Sequence, residues 1–192
     1  MELLSTVVSQ LTPELYVAPG LDAGGDWAIH FPARLGVKFD VVLHGSCWLQ
    51  VEGERHPHLL QQGDCFLLTS GKSFIAGSDL SLPKVPARAV FTEGCDSIVR
   101  HQGGGAVSLA GGRFTFVGQD AEALFRSLPP VIISRANSEE AAALRSSLDL
   151  FVKELRSGKP GSVLSMKHLA QLMLIQMLRL YLEANDELET GW

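Results

Sequence analysis

The chain is short of the features that mark several large function classes. It has no block of clustered cations: sixteen Lys and Arg stand against 21 Asp and Glu in 192 residues, a net charge of −5. Nucleic-acid affinity comes largely from neutralising phosphates with such clusters, so the composition excludes a basic DNA-binding domain. Cysteine is scarce. Cys47, Cys65 and Cys95 are widely spaced and form no C-x-x-C, which reads as reduced, buried thiols in a cytosolic protein rather than a disulfide or metal framework. Long apolar runs are missing too. The greasiest stretch, residues 169–182, is interrupted by Gln171, Gln176 and Arg179, and falls short of the roughly 20 residues that a membrane span needs. Met1-Glu2-Leu3-Leu4-Ser5 has no basic segment leading into an apolar one, so it does not read as a signal peptide. The expectation is a cytoplasmic protein with no membrane partner. There is no G-x-x-x-x-G-K-[ST], and neither Gly103-Gly104-Gly105 nor Gly111-Gly112 leads from a strand into a helix. Both read as flexible hairpins rather than phosphate cradles.

What is present is ordinary globular material, 46% hydrophobic and 19% charged. A chain of this length buries roughly 70% of its unfolded surface and needs no covalent staple to fold. Glycine divides it: most of the 19 glycines lie before Gly118, and only Gly158, Gly161 and Gly191 follow. The glycine-rich part reads as short strands between turns. Expected strands cover 27–31, closed by Pro32, and 39–51 with Gly45 as the bend. Others cover 58–61, 65–68, 87–92, 97–101, 107–109 and 113–117. Such spacing predicts a small barrel or sandwich.

From Asp120 the period turns helical. Asp120 is placed to cap a short helix with Leu124, Phe125 and Leu128 on its buried side. Asn137 and Glu140 resemble a capping box, opening a helix whose Ala141, Leu144, Leu148, Phe151, Val152 and Leu155 form one apolar stripe. The last helix, about 162–184, is apolar most of the way round its cylinder. A helix greasy on nearly all sides must be covered on nearly all sides, which predicts a homodimer through Leu169, Leu172, Met173, Gln176 and Leu180. The alternative is a central helix enclosed by its own chain. The expected division is a barrel over 1–118 and a helical subdomain over 119–192.

Three segments taken in order carry a resemblance: Trp27-Ala28-Ile29-His30-Phe31-Pro32, the run from Phe39-Asp40-Val41-Val42 through Gly45-Ser46-Cys47-Trp48-Leu49, and Gln62-Gly63-Asp64-Cys65-Phe66-Leu67-Leu68. With Leu128-Pro129-Pro130-Val131 and Gly158-Lys159-Pro160-Gly161, they are similar to the cupin-like effector-binding and dimerisation domain of AraC/XylS-type transcriptional regulators. The resemblance implies an α+β fold, a cupin-like β-barrel (jelly roll) followed by C-terminal helices, the last forming the dimer interface. It implies a non-catalytic sensor of a small-molecule effector. DNA would be reached only through a C-terminal helix-turn-helix domain missing from this chain, which reads as a truncated form. It also suggests that the segment before Trp27, including residues 11–19, closes over the pocket as an arm.

Cupins are often metalloenzymes, and a metal-dependent isomerase or dioxygenase is the rival reading. The usual pattern sets H-x-H and a Glu ahead of the bend glycine and a further His after the second glycine turn. With Gly45 as the bend, those slots fall on Pro32, Arg34, Lys38 and Phe74. None offers the imidazole, thiolate or carboxylate donors that Zn²⁺ or Fe²⁺ require, so no metal and no cofactor is expected. His56-Pro57-His58 is an H-x-H by letters, but its proline and charged surroundings mark an exposed loop.

The remaining candidates line the barrel. Trp27, His30, Asp40, His44, Trp48 and Phe66 combine aromatic faces with a few polar groups, which suits a pocket that stacks on an organic ligand and orients it. The three aromatics equally suit a solid core, and the two histidines equally suit satisfied interior positions. Arg34 and Lys38, at the vacated slots, suit an anionic effector. Strand parity alone does not say which of these side chains face inward.

Overall fold

A computed structural model describes residues 14–92, 98–116, 124–125, 127–138 and 141–185. Eleven strands form two facing sheets among the described residues. In chain order they are β1 (Glu14–Ala23), β2 (Ala28–Phe31), β3 (Val37–His44), β4 (Ser46–Val51), β5 (His58–Gln61) and β6 (Cys65–Leu68). Then come β7 (Phe74–Gly77), β8 (Val85–Pro86), β9 (Val99–His101), β10 (Val107–Thr115) and β11 (Val131–Ser134). The first sheet runs β11-β6-β3-β10-β1-β9 and the second β5-β4-β7-β2-β8. Gly45 makes the corner between them: its φ is +73°, and a methyl there would collide with the Ala106 carbonyl.

Period-two alternation assigns the faces of the first sheet. On β3, Val37, Phe39 and Val41 point away from the sandwich and Lys38, Asp40 and Val42 into it, so both faces are buried and the strand reads as a continuous run. The outer face is covered by two helices, α2 (Ala142–Ser157) and α3 (Ser162–Ala184); α1 is the single turn Ala87–Val90. Leu144, Leu148 and Phe151 of α2 are buried as the stripe predicts, each worth about 1.5–3 kcal/mol of transfer free energy. Phe151 meets Phe39 edge-on at 6.2 Å. The helix ends on Gly158 in the left-handed region.

Several expectations are corrected. Residues 87–92 are not a strand: after the extended Pro86, Ala87-Arg88-Ala89-Val90 closes one helical turn, with Phe91 N–H donating to Ala87 O. Gly111-Gly112 is no hairpin but the middle of β10, which is paired on both sides, to β1 and β3. A methyl at Gly111 would strike Phe39 O and one at Gly112 would strike Tyr16 O, so these glycines serve close strand approach rather than a turn. Gly103-Gly104-Gly105 does turn, between β9 and β10. Residues 14–23, within the segment before Trp27 expected to close over the pocket as an arm, are β1, in register with β10. β7, β8 and β11 were not expected; β11 lies beyond residue 118, in the segment read as helical, and pairs with β6. No side chain caps α2, which begins at Ala142; Arg145 instead ties the preceding turn by donating to Ala136 O and Ser138 O. Cys95, Asp120 and Glu140 lie outside the described residues.

Candidate functional site

Residues two apart on a strand share a face, and this places Lys38 and Asp40 together inside the sandwich. Lys38 Nζ lies 2.6 Å from Asp40 Oδ2, and both side chains are nearly enclosed. The same ammonium stands 6.0 Å above the ring of Phe74. Phe31 stacks on Phe74 at 4.4 Å, and Phe91 leans on Phe31 at 5.9 Å. Across the ladder from Lys38, Arg113 Nη1 donates to Arg34 O at 3.1 Å and Leu35 O at 3.3 Å. Gly111 is the strand partner of Asp40, and its missing Cβ makes room for that carboxylate.

The electrostatics follow from burial. Enclosure pushes the Asp40 carboxyl above its ordinary value, with the hydrogen-bonded Lys38 ammonium, and then Arg113, pulling it back. Burial lowers Arg113, the neighbouring charge of Arg34 lowers it further, and Asp40 partly offsets both. Cys47 and Cys65 are free, buried thiols, as expected, each pushed up to about 12. Burial is the main cause, with Asp40 adding at Cys47 and Asp64 at Cys65. Both stay protonated and are poor nucleophiles.

The seven residues expected to bind ligand divide. Trp27 and Phe66 belong to the interior core, and Phe66 is directly across the ladder from Asp40. His30 and Trp48 alternate with interior residues of β2 and β4, and so face out from the second sheet. Arg34 and His44 are exposed. Sequence reading missed Phe31 and Phe91, and treated Phe74 only as a vacated slot. Arg113 was overlooked as well; its signal was strand parity with Lys38, hidden by the hairpin assigned to Gly111-Gly112.

The cupin metal pattern fails here on chemistry. Its Glu and last His slots, Lys38 and Phe74, do meet in space, but an ammonium and a phenyl ring hold no cation. Among the described residues no three His, Cys, Asp or Glu stand together as a ligand set. His56 is exposed as expected, whereas His58 is half-buried at the start of β5, paired with Leu49.

A depression of about 390 Å³ lies elsewhere, lined by Leu59, Gln61, Gln62, Asp64, Arg135 and Asn137 with Ala136. Its carboxylate is committed: Asp64 accepts from Gln61 N, Arg135 Nη1 and Ala136 N, tying the turn before β6 to the end of β11. On α3, Met173 is fully buried against its own protomer, which corrects its expected place in a dimer seam. Leu172 is exposed, as are Val163 and Leu164; Leu169, Gln176 and Leu180 are half-buried.

Residues 2–183 match the cupin family. Along all 192 residues the chain is 38% identical to a putative AraC-like transcription regulator of Streptomyces antibioticus, and 36% identical to one of Streptomyces lividans. It spans 63% of the length of each. The fold is similar to that of apo ToxT K231A from Vibrio cholerae, with a TM-score of 0.50 and 12% identity over 87% of this chain and 56% of that one. With two facing sheets, a glycine corner at Gly45 and helices packed on one sheet, the chain belongs to the cupin family.

Proposed function

We propose that this chain is the effector-sensing and dimerising part of an AraC-like transcription regulator, non-catalytic and cytoplasmic, whose DNA contacts are made by a separate domain. The observation that carries this reading is the similarity to AraC-like regulators over the whole chain, which spans only part of their length. A small molecule would enter the sandwich and bind one arrangement of strands and helices better than another. Only that difference in affinity shifts the equilibrium of the attached DNA-binding parts. The site assigned to it is the interior around Asp40 and Phe66, with Trp27 in the same core. Dimerisation is assigned to the exposed side of α3, with Leu172 at its centre and Leu169, Gln176 and Leu180 at its border.

A thermal-shift screen of small metabolites tests the reading. A ligand at 100 times its dissociation constant adds about 2.7 kcal/mol of stability, so a clear rise in melting temperature is expected from at least one chemical class. A flat response across the library contradicts sensing. Stoichiometric iron, manganese, nickel or zinc in the purified protein favours the cupin-enzyme alternative instead.

A further inference from the structure

We propose that Asp64, Arg135 and Arg145 form a relay that couples the free edge of the second sheet to the start of α2, so that a guest shifting that sheet is felt by the helices. The guest rests on the effector-sensing reading; the coupling does not.

Among the described residues β5 closes one side of the second sheet and pairs only with β4. Leu59 O and Gln61 N belong to its open edge, the groups to which a further strand would bond. Both are already taken. Arg135 Nη1 donates to Leu59 O at 2.7 Å, and Gln61 N donates to Asp64 Oδ2 at 3.0 Å. The same Arg135 Nη1 donates to Asp64 Oδ2 at 2.8 Å, so this ion pair covers the edge in place of a strand. Both of its members come from the first sheet. Asp64 immediately precedes β6 and Arg135 immediately follows β11, next to the ladder partners Cys65 and Ser134.

The path continues to the helices. Asp64 Oδ1 accepts from Ala136 N at 3.0 Å, and Ala136 O accepts from Arg145 Nη1 of α2 at 2.9 Å. Gly63 permits this close seating, since a methyl there would lie 2.8 Å from the Ala136 Cβ. Leu144 and Leu148, on either side of Arg145 along α2, are buried in one cluster with Ile132 of β11 and Met173 of α3.

Burial makes these bonds act together. The Asp64 side chain is 4% exposed, and a buried carboxylate that loses its guanidinium is left charged with too few partners. Its bonds therefore strengthen one another, and opening one favours opening the rest. Arg135 is half exposed and lines the depression beside Asp64, which makes it the member free to swing into water.

Amide hydrogen exchange, read by NMR on the effector-free chain, tests the coupling. R145A removes the donor on α2, and the Gln61 N–H at the other end of the relay should then exchange about fivefold faster or more. Coupling is reciprocal, so R135A should speed exchange of the Arg145 N–H, which is bonded to Ala141 O, by a similar factor. The two changes together should add little to the larger single effect, because they interrupt one path. R145K keeps a donor for Ala136 O and should hold Gln61 near its wild-type rate. Acceleration confined to each variant's own end overturns the relay and leaves the sensing reading standing. Equal acceleration along the β1–β10 ladder means general loosening and overturns it as well. A flat metabolite screen, by contrast, removes the guest and leaves the exchange result untouched.

Discussion

The two faces of the first sheet are built from the same strands but to different ends. Outward, β3 sets Val37, Phe39 and Val41 against α2 and α3, a cluster of aliphatic and aromatic side chains that includes Phe151, Met173 and Met177. Inward, the same strand places an ion pair, and the second sheet sets a stack of phenyl rings beside it. A face whose task is only to fold has no use for Lys38 and Asp40, since apolar residues of like volume pack there at no desolvation cost. Polar groups kept inside a wall of Phe and Leu are why the inner face is the one proposed for recognition. The outer face holds the helices in place.

This contrast can be broken from either side. The largest expected effect is on the helical face. Phe151→Ala removes a buried ring that packs on Phe39, and should cost about 3–5 kcal/mol in denaturant unfolding. A loss nearer 1 kcal/mol would show that the helices sit loosely on the sheet. On the inner face, Lys38→Met leaves Asp40 buried without a partner and should cost a similar ~3 kcal/mol, whereas K38M with D40N recovers most of it. If the double variant is as unstable as the single one, the pair is structural and the comparison fails.

A smaller effect lies in pH. The Asp40 carboxyl is raised in the folded protein, chiefly by burial. A raised folded value means stability that is complete below the unfolded value of about 4 and is lost as pH rises through the folded one. The stability of wild type relative to D40N should therefore be greatest in acid and decline as pH climbs over that window. Parallel stability curves for the two proteins would contradict it. The smallest effect on folding, within about 0.5 kcal/mol, is expected from L164E with L172E, because both side chains are exposed on α3. The same double change should convert a dimer to a monomer in sedimentation. An unchanged sedimentation coefficient places the dimer seam elsewhere or removes it.

Much of the fold was legible in sequence because its signals are local. The bend at Gly45, the α2 stripe and the length of α3 each follow from a few neighbouring residues. What stayed hidden depends on partners far along the chain. Gly111-Gly112 looks like a turn until β1 and β3 are known to press on it from both sides. Residues 14–23 look like an arm until β10 supplies a ladder. The site was half legible for the same reason. Asp40 and Phe66 do face the interior, but strand parity decides which of the other candidates join them, and it turns His30 and Trp48 outward while bringing Lys38, Phe74 and Arg113 together. Met173 shows the limit for helices: apolar character all round predicts that something covers each side, and here the chain's own core covers that one.

The most direct test is amide chemical-shift mapping with whichever compound raises the melting temperature most. The largest perturbations should fall on β3, β7 and β10, around Lys38, Asp40, Phe74 and Arg113. Perturbations confined to the depression beside Asp64, or to the exposed side of α3, would contradict the assignment of the sandwich interior as the sensing site.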